Sequence, residues 1–139
     1  MPNKTSRALH PILNTIAMAS CYSPRKAKPP FALPFDETTG EMRDDVWREW
    51  LRNDPVTLVD RYARNLKKLH LLYLDCGTKD EFNLQYGARI FTRRLDRRRV
   101  RHFYEEFPDG HMNIQYRYDR SLPMISKVFA KTVELRRYI

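Results

Sequence analysis

A mixed α/β fold with a mostly parallel sheet is what this sequence predicts, and three observations predict it. Leu71-Leu72-Tyr73-Leu74 is a continuous apolar run without polar alternation, the pattern of a strand covered on both faces. Val100–Phe107 is a second strand-like run that mixes apolar and polar residues, as suits a strand nearer a sheet edge. Between them Leu84, Ala88, Phe91 and Leu95 recur at i, i+4, i+7 and i+11, so a helix over Glu81–Arg99 lays one stripe against the sheet.

The remaining elements follow in order. Met1–Arg7 is polar and basic, and residues 1–8 are expected to be a disordered start. Ile12–Ala19 is mostly apolar, and over so short a run periodicity does not separate strand from helix. Pro24, Pro29, Pro30 and Pro34 make residues 23–40 a proline-rich loop, either plain surface or a flap at a pocket mouth. In Asp44–Leu51 the residues Val46, Trp47, Trp50 and Leu51 share one helical face, which reads as packing rather than a pocket wall. Asp54-Pro55 starts a further helix, with Asp as the cap and Pro in the first helical position. Its stripe is Val59, Tyr62, Ala63 and Leu66, and Arg64, Lys67 and Lys68 gather near its C-terminal end. A final helix is expected to be capped by Ser121, with Pro123 in its first turn and Ile125, Val128, Phe129 and Val133 facing inward.

At 139 residues the chain is one domain's worth of sequence. Its net charge of +9 raises a nucleic-acid partner, and Arg93–Arg101 (RRLDRRRVR) is the strongest signal for one. That run lacks aromatic interleaving, and Arg89, Arg93 and Arg97 fall on the side of the helix away from its apolar stripe, so it reads as a solvated face. Cys21 and Cys76 have no metal-pair context and read as reduced thiols of a cytoplasmic protein. The N-terminus has no apolar core of a secretory signal, and no apolar run has the length of a membrane span, so no membrane partner is expected.

The chemistry-bearing residues are Asp80 and His111. Ligands and reactive groups in open α/β sheets gather beyond the carboxyl ends of the strands. Asp80 follows the first strand across the Cys76-Gly77-Thr78-Lys79 turn, and His111 follows the second across Asp109-Gly110. An acid after one strand and a histidine after the next is the order of the last two members of a Ser-Asp-His triad. Glu81 is placed in the first helical turn, where it suits the dipole, and is the alternative to Asp80 as the acid. His70 and His102 read as packing or surface residues, His10 as loop, and Asp75 as structural. A metal set of Asp75, Asp80, His102 and His111 has no recognisable ligand spacing.

Four phrases carry a family resemblance: Ala17–Pro24 (AMASCYSP), Asp54-Pro55, Tyr73–Arg89 (YLDCGTKDEFNLQYGAR) and Phe107–Pro123 (FPDGHMNIQYRYDRSLP). From about His10 onward the chain resembles the C-terminal half of the α/β-hydrolases in the enterochelin esterase and esterase D branch, most specifically over its last fifty-odd residues. The resemblance implies that residues 1–139 form a single domain, the C-terminal part of an α/β-hydrolase fold. It implies about three mostly parallel strands flanked by helices, Ile12–Ala19 being the first. It makes Asp80 the triad acid and His111 the triad base of a carboxylic ester hydrolase acting on a small-molecule ester, without a cofactor or metal. One departure weighs as much as the match. The only glycines are Gly40, Gly77, Gly87 and Gly110, and none flanks a serine as G-x-S-x-G requires.

Cys76 has Leu74 where the elbow needs a small residue, and Ser20, Ser23, Ser121 and Ser126 have no elbow context. One oxyanion-hole donor is the backbone N–H after the nucleophile, so that donor is missing too. The first expectation is therefore a truncated or split esterase, inactive alone, whose nucleophile lies on a missing N-terminal half. Its exposed strand edge would favour self-association. A second is a non-catalytic binding or assembly module with the half-fold, and a third is a basic nucleic-acid-binding domain.

Overall fold

The structure, a computed structural model, describes residues 4–136, with side chains from 9 to 131. Five helices and two strands are described: α1 (Lys4–Tyr22), α2 (Asp44–Leu51), α3 (Pro55–Leu66), β1 (Tyr73–Gly77), α4 (Leu84–Arg97), β2 (Phe103–Phe107) and α5 (Tyr118–Arg136). A 3-10 turn, Gln115–Arg117, leads into α5. The fold is thus mixed α/β with a parallel sheet. Two compact units divide between Thr57 and Leu58.

The first unit corrects the reading of its opening segment. Ile12–Ala19 is the interior of α1, not a strand, and the helix already runs from Lys4, within the expected disordered start. Met1–Asn3 lie outside the described residues. A strand needs a partner ladder, and no described residue pairs with 12–19. The helix needs none, and Thr15 and Ser20 turn their hydroxyls back onto the Pro11 and Ile16 carbonyls at 2.9 and 2.8 Å. His10, expected in a loop, lies in this helix.

Ala19, Val46 and Trp50 form the small core of this unit, with Tyr22, Phe31, Ala32 and Leu33 packed around it. Trp50 donates its indole N–H to Ser23 Oγ at 2.9 Å, and Ser23 donates in turn to the Ala32 carbonyl at 2.6 Å. A large aromatic is thereby buried without an orphaned donor. Trp47, expected on the same packed face, is exposed and leans against Trp50 with ring centroids 6.2 Å apart. The proline-rich segment is irregular apart from two isolated antiparallel bridges, Pro24 to Phe31 and Phe35 to Met42. Asp54 caps α3 by accepting from the Val56 and Thr57 amides at 3.1 and 2.9 Å, as the Asp54-Pro55 pair predicts.

The second unit contains a β-α-β crossover. β1 and β2 pair in parallel from Tyr73 opposite Phe103 to Gly77 opposite Phe107, with α4 between them in sequence. The sheet has two strands where about three were expected, because the segment expected to be the first of them, Ile12–Ala19, lies in α1. Leu71 and Leu72 precede β1, and the leucines of the 71–74 run are half-buried rather than enclosed. Val59, Leu95 and Val100 make the core, with Ala63, Leu66, Leu72 and Phe91 around them.

Helix α4 is shorter than the expected Glu81–Arg99. It starts after Asn83, which adopts a left-handed conformation (φ 58°), and ends before Arg99, which does the same (φ 53°). Leu84, expected on the packed stripe, is half exposed, whereas Gln85 is buried. Helix α5 begins at Tyr118, so Ser121 is an interior residue and not the cap, and Pro123 lies inside the helix. Arg117, in the turn just ahead of it, and Arg120, in its first turn, both pair with strand carboxylates. Ile125 and Phe129 are exposed rather than inward, and the side chain of Val133 lies outside the described residues.

Candidate catalytic pair

The two loops that leave the carboxyl ends of β1 and β2 are stitched together by backbone. Thr78 donates to the Phe107 carbonyl at 2.8 Å and Lys79 to the Asp109 carbonyl at 3.0 Å. This juxtaposition follows from parallel pairing, which brings both strand ends to one rim.

Asp80 is buried on that rim, with a side chain only 3% exposed. Its Oδ1 accepts from the Phe82 amide at 2.8 Å and, more distantly, from the Leu84 amide at 3.4 Å, anchoring the entry to α4. Its Oδ2 lies at hydrogen-bond distance, 3.0 Å, from His111 Nδ1. The His111 ring is 40% exposed, and Phe82 packs edge-on against it with centroids 5.0 Å apart. With Nδ1 committed to the carboxylate, the open side of the ring carries Nε2. The structure thus brings together the two residues that the sequence singles out.

Glu81 has a role that the sequence reading missed. It precedes α4 rather than lying in its first turn, and its carboxylate accepts from the His111 backbone N–H at 2.8 Å. A Cβ on Gly110 would lie 2.6 Å from Glu81 Oε1, so glycine at 110 makes room for that contact. Glu81 therefore fixes the backbone of the histidine loop while Asp80 fixes its ring. The signal available in the sequence was only that an acid neighbours Asp80.

Beside His111 opens a cavity of about 410 Å³, lined among others by Tyr73, Asp75, Ile114, Arg117 and Ser121. Arg117 anchors its wall. The guanidinium donates to Asp75 Oδ2 at 2.8 Å, to Glu105 Oε2 at 2.6 Å and to Tyr73 Oη at 3.2 Å, and it lies 4.5 Å over the Phe107 ring. Asp75 thus holds the Tyr73 hydroxyl and the Arg117 guanidinium at the cavity wall. Burial is the largest influence on Arg117 and disfavours its charge, yet the bonds to Asp75 and Glu105 together outweigh it and raise its pKa. Burial, then the hydrogen bond to Asp75, pushes the Tyr73 phenol up to about 12, so it is neutral at ordinary pH.

The other candidates do not join the pair. Cys76 is buried, and burial followed by the nearby Asp80 charge pushes its thiol up, away from the reactive thiolate. His102 is held by the Val100 carbonyl at 2.9 Å, and exposed His70 lies near the opposite strand ends. Among the described residues no three of His, Cys, Asp or Glu gather where they could hold a metal ion, and no helix is long and apolar enough to cross a membrane. Arg89 of the basic helix is clamped to Glu106 by two 2.7 Å bonds, and Arg98 pairs with Asp60.

These pairs set an acid limit. The Arg120 and Arg117 hydrogen bonds hold Glu105 at about 2, and Arg89 holds Glu106 at about 2, both down from 4.5. A depressed folded-state pKa stabilises above the unfolded value and loses that contribution as pH falls through the folded one. The melting temperature is therefore expected to fall progressively from about pH 4.5 down to about pH 2. Glu105→Gln should make the fall shallower while lowering the plateau at neutral pH. An unchanged slope in that variant would remove Glu105 from the account.

No model of a known protein family matches the chain, and no curated protein matches it significantly.

Proposed function

We propose that Asp80 and His111 are the acid and base of a Ser-Asp-His triad that hydrolyses carboxylic esters of small molecules, with the attacking serine supplied from outside this sequence. On this reading the second unit belongs to the C-terminal part of an α/β-hydrolase fold. The observation that carries it is the 3.0 Å contact between His111 Nδ1 and Asp80 Oδ2, with the acid buried and the ring open beside a cavity.

The chemistry follows from that polarity. A carboxylate on Nδ1–H keeps the proton there and leaves Nε2 as the acceptor. Nε2 takes the hydroxyl proton as the serine oxygen adds to the ester carbonyl, and returns it to the departing alkoxide. Water then repeats the sequence on the acyl-serine and releases the carboxylic acid. Asp80 stays ionised throughout and stabilises the imidazolium.

A second reading, a non-catalytic assembly module, is favoured by a different observation. The sheet has only two strands, so each has one edge without a partner among the described residues. Another segment or a second copy could extend it.

Nitrogen-resolved NMR of the His111 ring tests the catalytic reading. The expected result is the Nδ1–H tautomer with a strongly deshielded proton, lost in Asp80→Asn. An Nε2–H tautomer in the unaltered protein would sink it. An in-frame G-x-S-x-G in the coding sequence ahead of Met1 is the matching genetic expectation, and its absence supports the assembly reading.

A further inference from the structure

At the other end of the strands lies an open cleft of about 550 Å³, the size of a small-molecule site. Its apolar lining is Leu71, just ahead of β1, Phe103, at the start of β2, and Met124 and Val128 of α5. Its polar lining is His70, Arg101, Lys127 and Lys131, and among the described residues no acid contributes. Met124, Lys127, Val128 and Lys131 stand at i, i+3, i+4 and i+7, so one face of α5 supplies apolar groups and two ammonium groups together.

The cations of the cleft are not among the arginines of this unit that carboxylates clamp. Arg89, Arg98, Arg117 and Arg120 each meet a carboxylate. Arg101 reaches only the His70 backbone carbonyl, at 3.5 Å, and Lys127 and Lys131 meet no carboxylate among the described residues. Phe103 is 51% exposed at the cleft, an unusual position for a large aromatic on a strand. Lysine and arginine stems lie along apolar surface while their charged ends stay at the rim.

We propose that this cleft binds an anionic amphiphile: a carboxylate or phosphate head held by Lys127, Lys131 and Arg101, with an unbranched apolar tail over Phe103, Met124 and Val128. The three cations of the described lining select a negative head, and the apolar floor selects a tail over a bare ion. A polynucleotide would need a row of cations with several stacking aromatics, and Phe103 is the single aromatic here among the described residues. The site is independent of the catalytic pair, which lies beyond Gly77 and Phe107 at the opposite strand ends.

The test titrates the full chain, labelled at its methionine methyls, with decanoate, decyl phosphate, decanol and a short DNA duplex. Decanoate and decyl phosphate should shift the Met124 methyl saturably and leave Met18 and Met112 unmoved. Decanol should bind at least about tenfold more weakly, and so should decanoate to the Lys127→Gln/Lys131→Gln variant, since charge-assisted contacts are lost in both cases. These lysines are exposed, so an unchanged amide spectrum can confirm that the variant folds. Tighter binding of decyl phosphate assigns a phosphate head, and equal or tighter binding of decanoate assigns a carboxylate; either supports the site. Decanol binding as well as decanoate, a variant as good as the parent, or DNA displacing decanoate from Met124 would each overturn it.

Discussion

Asp80→Asn should lower kcat by about ten thousandfold in an assembly that contains the serine, with KM little changed, and His111→Ala should cost at least as much. The asparagine substitution is informative because Asp80 has two separable jobs. Oδ1 accepts from the Phe82 and Leu84 amides and builds the entry to α4, whereas Oδ2 meets only the His111 ring. Asparagine keeps an oxygen for the first job and presents an amide N–H₂ toward Nδ1 for the second. That group favours the tautomer with the proton on Nε2, which cannot accept from a hydroxyl. Stability should therefore hold while turnover collapses. Asp80→Ala loses both functions and should also melt lower. Initial rates on a p-nitrophenyl ester, measured beside thermal melts, separate the cases. Turnover near the parent rate in Asp80→Asn would remove Asp80 from the mechanism.

The parts of this architecture that were legible in the sequence are those fixed by local chemistry or by strong periodicity. Asp54-Pro55 specifies a helix start because a carboxylate satisfies first-turn amides and proline needs no donor there. The α4 stripe marks a helix over many turns, although the left-handed residues Asn83 and Arg99 that bound it give no comparable sign. Asp80 and His111 were legible because parallel strands deliver their C-terminal loops to one rim. Ile12–Ala19 was not, since a short apolar run fits either backbone and the decision rests on whether a partner strand exists. Glu81 was invisible for a related reason. Its partner is a backbone N–H thirty residues away, and only the folded loops define that contact. The same holds for Arg117, whose carboxylate partners Asp75 and Glu105 are distant in sequence from each other. Net charge likewise said nothing about which arginines are clamped by carboxylates and which cations gather at the α5 cleft.

Gly77→Ala should destabilise the protein by about 3 kcal/mol, a fall in melting temperature of roughly 10 °C. The cause is space. A Cβ at Gly77 would lie 2.2 Å from the Asp109 carbonyl oxygen and 2.5 Å from that of Gly110, both of them backbone atoms. Side chains could swing aside, but a carbonyl retreats only by moving the loop that carries it. That loop also accepts the Lys79 amide and presents His111 to Glu81 and Asp80. Pushing it outward should break the stitching between the strand ends and loosen the acid–base pair together with the fold. Gly87→Ala is the matched control, because nothing lies within 4 Å of a Cβ there. Inside α4 that change should stabilise by up to about 1 kcal/mol, since alanine is the better helix former. Thermal melts of the two variants should therefore move in opposite directions, and the His111 ring signal should change only in Gly77→Ala. A Gly77→Ala protein that melts with the parent and keeps that signal would mean the loops yield without cost. The pairing of residues 80 and 111 would then not depend on the close backbone approach at the end of β1.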